Sequence, residues 1–563
     1  MIGHEEPTAS EYGLLSAATP RSLRALTADH AKGIAGVLAP LALVAWAIVQ
    51  LAGSDAPLAE MKMNPRGEPA VAAVGVGTSL LPKDEQWHGV SLGGWLLMEI
   101  NPATRSTLSP MDLRPKWMFD QMFASSELDF VSELRKEKGD AYTIATMRNH
   151  WAGYISAEQL DAAKALGIDT VRIPLGYWIM DAPVGGTSPL EYGFSPEGFV
   201  TGGLNHLLVM LKLLKERGMG ALVDIHSMPC NSACISDGLY CAKPLGFMAP
   251  GEAPIGDMPR CEHAGGGVYP SLREPKEGEM EWPDVGVNAV AGMAKWIAAL
   301  PAEAQSVVCF QLANEPALGP SSPEVYAAIL AFYGRAMSAA REHLKDIPLV
   351  LSFMGPTPAT QTFLKQADKE DREAGHGGYL GDHHYYLNWQ ACCGVGPGVP
   401  AINHMPWDEI HRRACILEAE GNAHDIDVYA NASLNVIVGE WSLATNLDSY
   451  QDLTDPATRK HLIQMYREQI ETFSKRPEIR GAFFWTLRMG SGWDPRPTDA
   501  HPNGQQLDGT SAWTSIAGYP FVVWSLLEMA ELGIATALNE KYEGTCATNR
   551  CQGALGTCEI HSG

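Results

Sequence analysis

From His88 onward the chain alternates between two hydrophobic periods. Short apolar runs of strand length recur: "HGVSLGG" (88–94), "TVRIPLG" (170–176), "GALVDIHS" (220–227), "VVCFQLANEP" (307–316), "PLVLSFM" (348–354), "GYLGDHHYY" (378–386), "NVIVGEWS" (435–442) and "GAFFWTLR" (481–488). Their β-branched residues suit strands covered on both faces. Between them lie stretches with apolar positions at i, i+3 and i+4, such as "SAEQLDAAKALG" and "HLLVMLKLLKERG", the latter ending at a glycine. Eight strands alternating with helices over about 400 residues predict an α/β fold, a (β/α)8 TIM barrel. The rival is a doubly wound open sheet. Such a sheet carries a glycine-rich phosphate loop after an early strand. "SLGGWLL" has the wrong spacing for one.

Upstream the pattern changes. Residues 1–32 are polar and predict a disordered segment on the cytoplasmic side. Residues 33–53, "GIAGVLAPLALVAWAIVQLAG", hold no charge over 21 positions, the length that spans a bilayer core. Arg21, Arg24 and Lys32 precede them; Asp55 and Glu60 follow. This bias predicts a single-pass type II signal anchor, with the following chain extracellular or lumenal. Cleavage of the segment as a signal peptide is the alternative, against which stands an unusually long leading region. Residues 54–84, with four prolines, read as a stalk. The barrel domain is then expected over 85–540, and 541–563 is a cysteine-bearing tail.

Charge and cysteine usage narrow the partners. The 563 residues carry a formal net charge of −24, which excludes a nucleic-acid partner needing a basic face. Of the eleven cysteines, Cys309 sits alone in an apolar run and reads as a free core thiol. Cys230, Cys234, Cys241 and Cys261 form one group, Cys392, Cys393 and Cys415 a second, and Cys546, Cys551 and Cys558 a third. In an oxidising compartment these are disulfide candidates. Zinc is the alternative, but paired C-x-x-C spacing is missing from the sequence. Asn431-Ala432-Ser433 is an N-glycosylation acceptor.

In a barrel of this kind, chemistry sits at the C-terminal ends of the strands. Those ends hold Arg172, Asp224 and His226, Asn314-Glu315-Pro316, His383-His384-Tyr385-Tyr386, Glu440-Trp441 and Trp485. A carboxylate closing a buried apolar run is costly unless paired or used. Glu315 and Glu440 are two such acids able to face one mouth. Two carboxylates across a cleft are what glycoside hydrolysis requires.

The stretches "GVSLGGWLLMEI", "HWAGYIS", "VRIPLGYW", "LVDIH", "LANEP", "DHHYY", "VGEWS" and "FFWTLR", in this order over 88 to about 528, resemble glycoside hydrolase family 5, and most its exo-β-1,3-glucanase branch. The resemblance implies a retaining hydrolase that cleaves β-glucosidic bonds of a β-glucan without metal or organic cofactor. Glu315 matches the acid/base and Glu440 the nucleophile. Asn314 would bind the sugar 2-hydroxyl and Arg172 would keep the nucleophile ionised. His226, His383 and Tyr385 match cleft residues, although the His383-His384 doublet leaves His384 and Tyr386 as alternates. Trp485 would floor the reacting-sugar subsite, and Glu99 matches a carboxylate that binds sugar hydroxyls. Cellulase, β-1,6-glucanase and glycosylceramidase activities are alternatives on the same fold. A non-catalytic glucan-binding wall protein is a rival from another class. The long cysteine-bearing loop after His226 and the three-cysteine tail depart from the family.

Overall fold

In the computed structural model residues 86–546 are described, apart from 99–126, 181–187, 196–197, 229–281, 317–322, 354–357, 388–406, 417–425, 427–428, 431–432, 446–452, 454, 489–492, 507–519, 540–541 and 543–544. The 33–53 segment, Glu99, Asn431 and eight of the cysteines (230, 234, 241, 261, 392, 393, 551 and 558) lie outside the described residues. Among the described residues no helix is long and apolar enough to cross a membrane.

Eight strands form: β1 Trp87–Ser91, β2 Thr170–Gly176, β3 Gly220–Ser227, β4 Val307–Gln311, β5 Leu349–Ser352, β6 Tyr379–Tyr385, β7 Val436–Trp441 and β8 Ile479–Phe484. They pair in parallel and in sequence order, and β8 returns to β1, closing a barrel. All eight expected runs are present. The fourth is shorter than expected, because the chain leaves the ladder after Gln311 and the Asn-Glu-Pro segment turns out over the barrel mouth.

The helices follow the apolar spacing. Residues Gly203–Glu216, "GLNHLLVMLKLLKE", bury Leu204, Leu207, Leu211 and Leu214, one stripe at steps of three and four. Just beyond this helix, Gly218 adopts a left-handed φ of 65°, which glycine takes without the Cβ penalty. The helix Ala157–Ala165 opens with a capping box: the Ser156 hydroxyl accepts from the Gln159 N–H, and the Gln159 side chain returns to the Ser156 N–H.

Strand alternation divides the barrel interior into two layers. The lower one is apolar. Trp87, Leu222, Val308, Cys309, Val350, Leu380, Ile437 and Phe483 form a cluster distinct from the outer core between strands and helices. Two residues further along their strands, the same inward face carries Asp224, Gln311, Ser352 and Asp382. Arg172 lies on β2 beside Leu222 in register. All five of these polar side chains are buried. An apolar plug thus closes the barrel below a polar layer.

Among the described cysteines, Cys415 is bonded to Cys546 and Cys309 is a buried free thiol. The bridge joins the helix Trp407–Ile416 to the tail across 131 positions. Glu471, on the helix Pro456–Ser474, accepts the backbone N–H groups of Thr545 (2.8 Å) and Cys546 (3.2 Å). A bridge over so long a separation restricts the unfolded chain and stabilises by about 2–4 kcal/mol. Cys546→Ala is expected to lower the thermal midpoint by several degrees while leaving far-UV circular dichroism unchanged below it. An unchanged midpoint would show that the bridge contributes nothing.

Candidate active site

The centre of the site is Arg172. Its guanidinium is fully buried and every nitrogen is used. Nη1 donates to Glu440 Oε1 at 2.7 Å, and Nη2 donates to Asn314 Oδ1 at 2.8 Å. Nη2 also lies 3.0 Å from Asp224 Oδ2, and Nε donates to Gln311 Oε1 at 3.1 Å. A buried guanidinium is tolerable only with such pairing. The carboxylates of Asp224 and Glu440 outweigh burial and hold Arg172 protonated.

Glu440 reaches the interior through an irregular strand pairing. Along β6 and β7, His383 pairs with Val438 but His384 pairs with Glu440, so Gly439 is an extra residue on β7. The bulge turns Glu440 inward and Trp441 outward. Trp441 then packs on Phe473 (ring centroids 5.3 Å) and Tyr466 (6.0 Å) of the helix Pro456–Ser474. Glu440 Oε2 accepts the Tyr386 hydroxyl at 2.8 Å. Burial alone would raise the Glu440 carboxyl. His384 and Arg172 outweigh it and hold the group below the usual carboxylate range. Glu440 is thus an ionised, oriented carboxylate, the state a nucleophile needs.

Glu315 faces it across the mouth. Its backbone has a positive φ of 36° just before Pro316, a conformation uncommon for a side-chain-bearing residue. The turn is held by Asn314 N–H donating to Ile225 O (3.2 Å) and Glu315 N–H donating to Ser352 Oγ (3.3 Å). Glu315 is the more exposed acid, at 17% of its side chain against 8% for Glu440. His384 stands between them: Nδ1 is 2.5 Å from Glu315 Oε1 and 3.4 Å from Glu440 Oε2. Glu315, His384 and Glu440 bring donor atoms within 4.8 Å of one another. That carboxylate spacing fits direct attack on a sugar carbon. The three side chains also have the donor types of a cation site, but Arg172 and His384 already bring positive charge to those oxygens.

The remaining expected residues assemble around this pair. Asn314 lends its Oδ1 to Arg172 and points its Nδ2 at His226 Nε2 at 3.3 Å. His226 Nδ1 donates to Asp224 Oδ2 at 2.7 Å. The His226 ring stacks against Trp485 at 5.5 Å, with planes 13° apart. Trp485 follows β8, and its peptide bond to Thr486 is cis. Thr486 Oγ1 donates to Ser91 O (2.6 Å) and accepts Gly93 N–H (2.9 Å), joining the ends of β8 and β1.

Two expectations are corrected. His384 and Tyr386, not His383 and Tyr385, touch the acids. The reason is strand parity: Leu380, Asp382 and His384 share the inward face, so His383 and Tyr385 point toward the helices. Tyr385 donates its hydroxyl to Arg413 O at 2.8 Å and packs edge-on against Phe473. His383 is buried, and burial with its charged neighbour His384 lowers its imidazole to about 4. The sequence reasoning also left Gln311, Ser352 and Asp382 without a role. For Asp382 the available signal is an aspartate two positions before a histidine on a buried strand; Gln311 and Ser352 have no such signal.

No family model matches the chain. Among curated relatives, "Glucan 1,3-beta-glucosidase 3" of Schizosaccharomyces pombe is 24% identical over 420 residues, 73% of this chain and 71% of its own length. "Probable glucan 1,3-beta-glucosidase A" of Aspergillus niger is 28% identical over 163 residues, 29% of this chain and 33% of that protein. "Glucan endo-1,6-beta-glucosidase B" of Emericella nidulans is 26% identical over 156 residues, 26% of this chain and 31% of that protein. The chain thus matches about a third of the length of the latter two. Among solved structures, the rutinosidase from Aspergillus niger aligns with a TM-score of 0.46 at 16% identity, over 76% of this chain and 95% of that one. The chain is thus similar to proteins named glucan 1,3-beta-glucosidase, in keeping with the resemblance of its motifs to glycoside hydrolase family 5.

Proposed function

We propose that the protein is a retaining β-glucan hydrolase that releases glucose from β-1,3-linked chains. The observation that carries this reading is the pair Glu315 and Glu440, facing at short range with Glu440 bound by Arg172 and Tyr386. Glu440 attacks the anomeric carbon, and Glu315 gives its proton to the leaving oxygen. A glucosyl-enzyme forms on Glu440. Water, losing a proton to Glu315, then releases the sugar with net retention. Asn314, held on one side by Arg172 and on the other by His226, presents its amide to the reacting sugar. The rings of Trp485 and His226 offer an aromatic surface below it. The β-1,3 preference and exo action rest on the names of the relatives and on Glu99, which lies outside the described residues. An endo-acting β-1,6 specificity is the second reading, favoured by the relative named for that activity.

The role assignment has a chemical test. Glu440→Gln should abolish turnover with the fold intact. Glu315→Ala should also fall by several orders of magnitude, and azide should restore turnover of an activated aryl β-glucoside. The rescued product should be the β-azide, because azide enters where the leaving group left. An α-azide from Glu315→Ala would exchange the two roles.

Specificity is tested on laminarin-type β-1,3-glucan, with β-1,4- and β-1,6-glucans alongside and products resolved by size over time. Glucose is expected from the first time points on the β-1,3 substrate, with slower release from β-1,6 links. Early mixed oligosaccharides with little glucose would replace exo action by an open, endo-acting groove.

Residues 33–53 anchor the chain in the membrane, with the barrel on the extracellular or lumenal side. The support is the uncharged length and the basic residues before it. Protease added to sealed vesicles with the cytoplasmic face outward should remove only a short N-terminal piece. Digestion of the barrel there would reverse the orientation. A mature N-terminus near residue 54 would show that the segment is cleaved.

A further inference from the structure

Two strands carry the same short pattern, an aspartate followed two residues later by a histidine on the same inward face: Asp224 and His226 on β3, Asp382 and His384 on β6. In both, the carboxylate meets the imidazole, yet the two histidines are bonded differently. His226 donates from Nδ1 to Asp224, while its Nε2 faces the Asn314 amide nitrogen, which donates to it. One ring nitrogen thus faces a carboxylate and the other an amide N–H donor. His384 has carboxylate oxygens at both ends. Its Nε2 is 3.1 Å from Asp382 Oδ2, and its Nδ1 is 2.5 Å from Glu315 Oε1. Both contacts are donations if the ring carries two hydrogens.

The second carboxylate differs from the first in where its charge goes. Asp224 is 3.0 Å from the Arg172 guanidinium. The other partners of Asp382 are neutral. Its Oδ1 accepts the Gly439 N–H at 3.0 Å, and its Oδ2 accepts the Gln311 amide at 2.8 Å. Gln311 in turn accepts from Arg172 Nε. Gly439 is the bulge residue directly before Glu440. A Cβ there would lie 2.2 Å from Asp382 Oδ1, so the glycine leaves the room this carboxylate occupies. One side chain therefore touches the backbone that carries Glu440, the histidine between the two acids, and the amide that supports Arg172.

We propose that Asp382 is a positioning residue of the hydrolytic site: it holds His384 as an imidazolium between Glu315 and Glu440 and pins the Gly439 bulge that turns Glu440 inward. The inference rests on the hydrolase reading above. In the first step the Glu315 proton passes to the leaving oxygen, and the new carboxylate is met by the His384 charge. In the second step the water proton returns to Glu315, and His384 keeps both of its own hydrogens throughout. The groups around His384 agree with this. Glu315 follows β4, Glu440 comes from β7 and Asp382 from β6. Arg172 and Tyr386 stand behind Glu440, and His383 beside it is neutral. Burial would lower His384, but Glu440, Asp382 and Glu315 together hold it well above the ordinary imidazole range. Asp382 itself stays ionised against burial because of His384 and Arg172.

The test uses Asp382→Asn in the full chain, which keeps the shape and removes the charge. With that charge gone, His384 loses its proton at lower pH. The expected result is a kcat lower by at least about tenfold, KM within about threefold, and an alkaline limb of kcat/KM moved down by about one pH unit. A purely structural role would reduce the active fraction and leave the limb in place, and that outcome overturns the proposal. An independent measurement covers failure of the variant to fold. Ring 15N resonances of the wild-type enzyme should show one imidazole doubly protonated from pH 6 to 8, and His384→Gln should remove that signal. A neutral His384 at pH 7 overturns the proposal even if the enzyme is active. Absence of wild-type turnover on every β-glucan would instead remove the hydrolase reading and leave the charge-state result standing.

Discussion

A closed barrel of parallel strands can keep charge in its interior only if each charge finds its opposite there. Arg172 is the term that makes this possible. It is fully buried and touches Glu440, Asp224, Asn314 and Gln311 directly. Without it, Glu440 would be a buried carboxylate beside Asp224, and burial would drive Glu440 toward its protonated form. With it, Glu440 is ionised and aimed. The cost of burying the arginine is offset by the same contacts that hold Glu440 ionised and in place. Stability of the upper barrel and readiness for chemistry are therefore one property.

The apolar layer below explains why these pairs are strong. Leu222, Leu380, Ile437 and Phe483 fill the barrel under the polar layer and keep water from reaching it from beneath. Solvent reaches the ionic layer from the mouth, where substrate arrives. Glu315 sits at that mouth and Glu440 deeper. The two acids thus differ in surroundings as well as in partners. Glu440 has an arginine and a tyrosine hydroxyl on it; Glu315 has the histidine. Glu440 is thus held as a fixed negative charge beneath the more exposed Glu315.

Much of this was legible in the sequence. The eight apolar runs become the eight strands, because fully covered parallel strands need continuous apolar residues. Glu315, Glu440, Arg172, His226, Asn314 and Trp485 come together where strand-end reasoning puts them. The misreading at His383 and Tyr385 has a definite cause. In a doublet such as His383-His384 composition does not decide which residue faces inward, and only parity counted from Leu380 does. At Glu440 parity itself fails. Counting by twos from Ile437 puts Gly439 and Trp441 inside, and the bulge at Gly439 is what reverses this. A bulge depends on the partner strand, here on the carboxylate of Asp382, and has no signature within seven residues of one strand.

That dependence answers why a buried strand runs into an acid. Gly439 has no side chain, so Asp382 can approach its N–H. The approach stabilises an extra residue in β7, and the extra residue brings Glu440 to the inward face opposite Arg172. The glycine, the aspartate and the arginine lie on β7, β6 and β2, and none of them orients Glu440 by itself. Removing the glycine would put a Cβ 2.2 Å from the aspartate oxygen. Removing the aspartate would free the bulge, and removing the arginine would leave the inward acid without its nearest cation. The position of Glu440 is thus set by residues of three strands far apart from one another in sequence, which come together only when the barrel closes, and this couples closure of the fold to completion of the site.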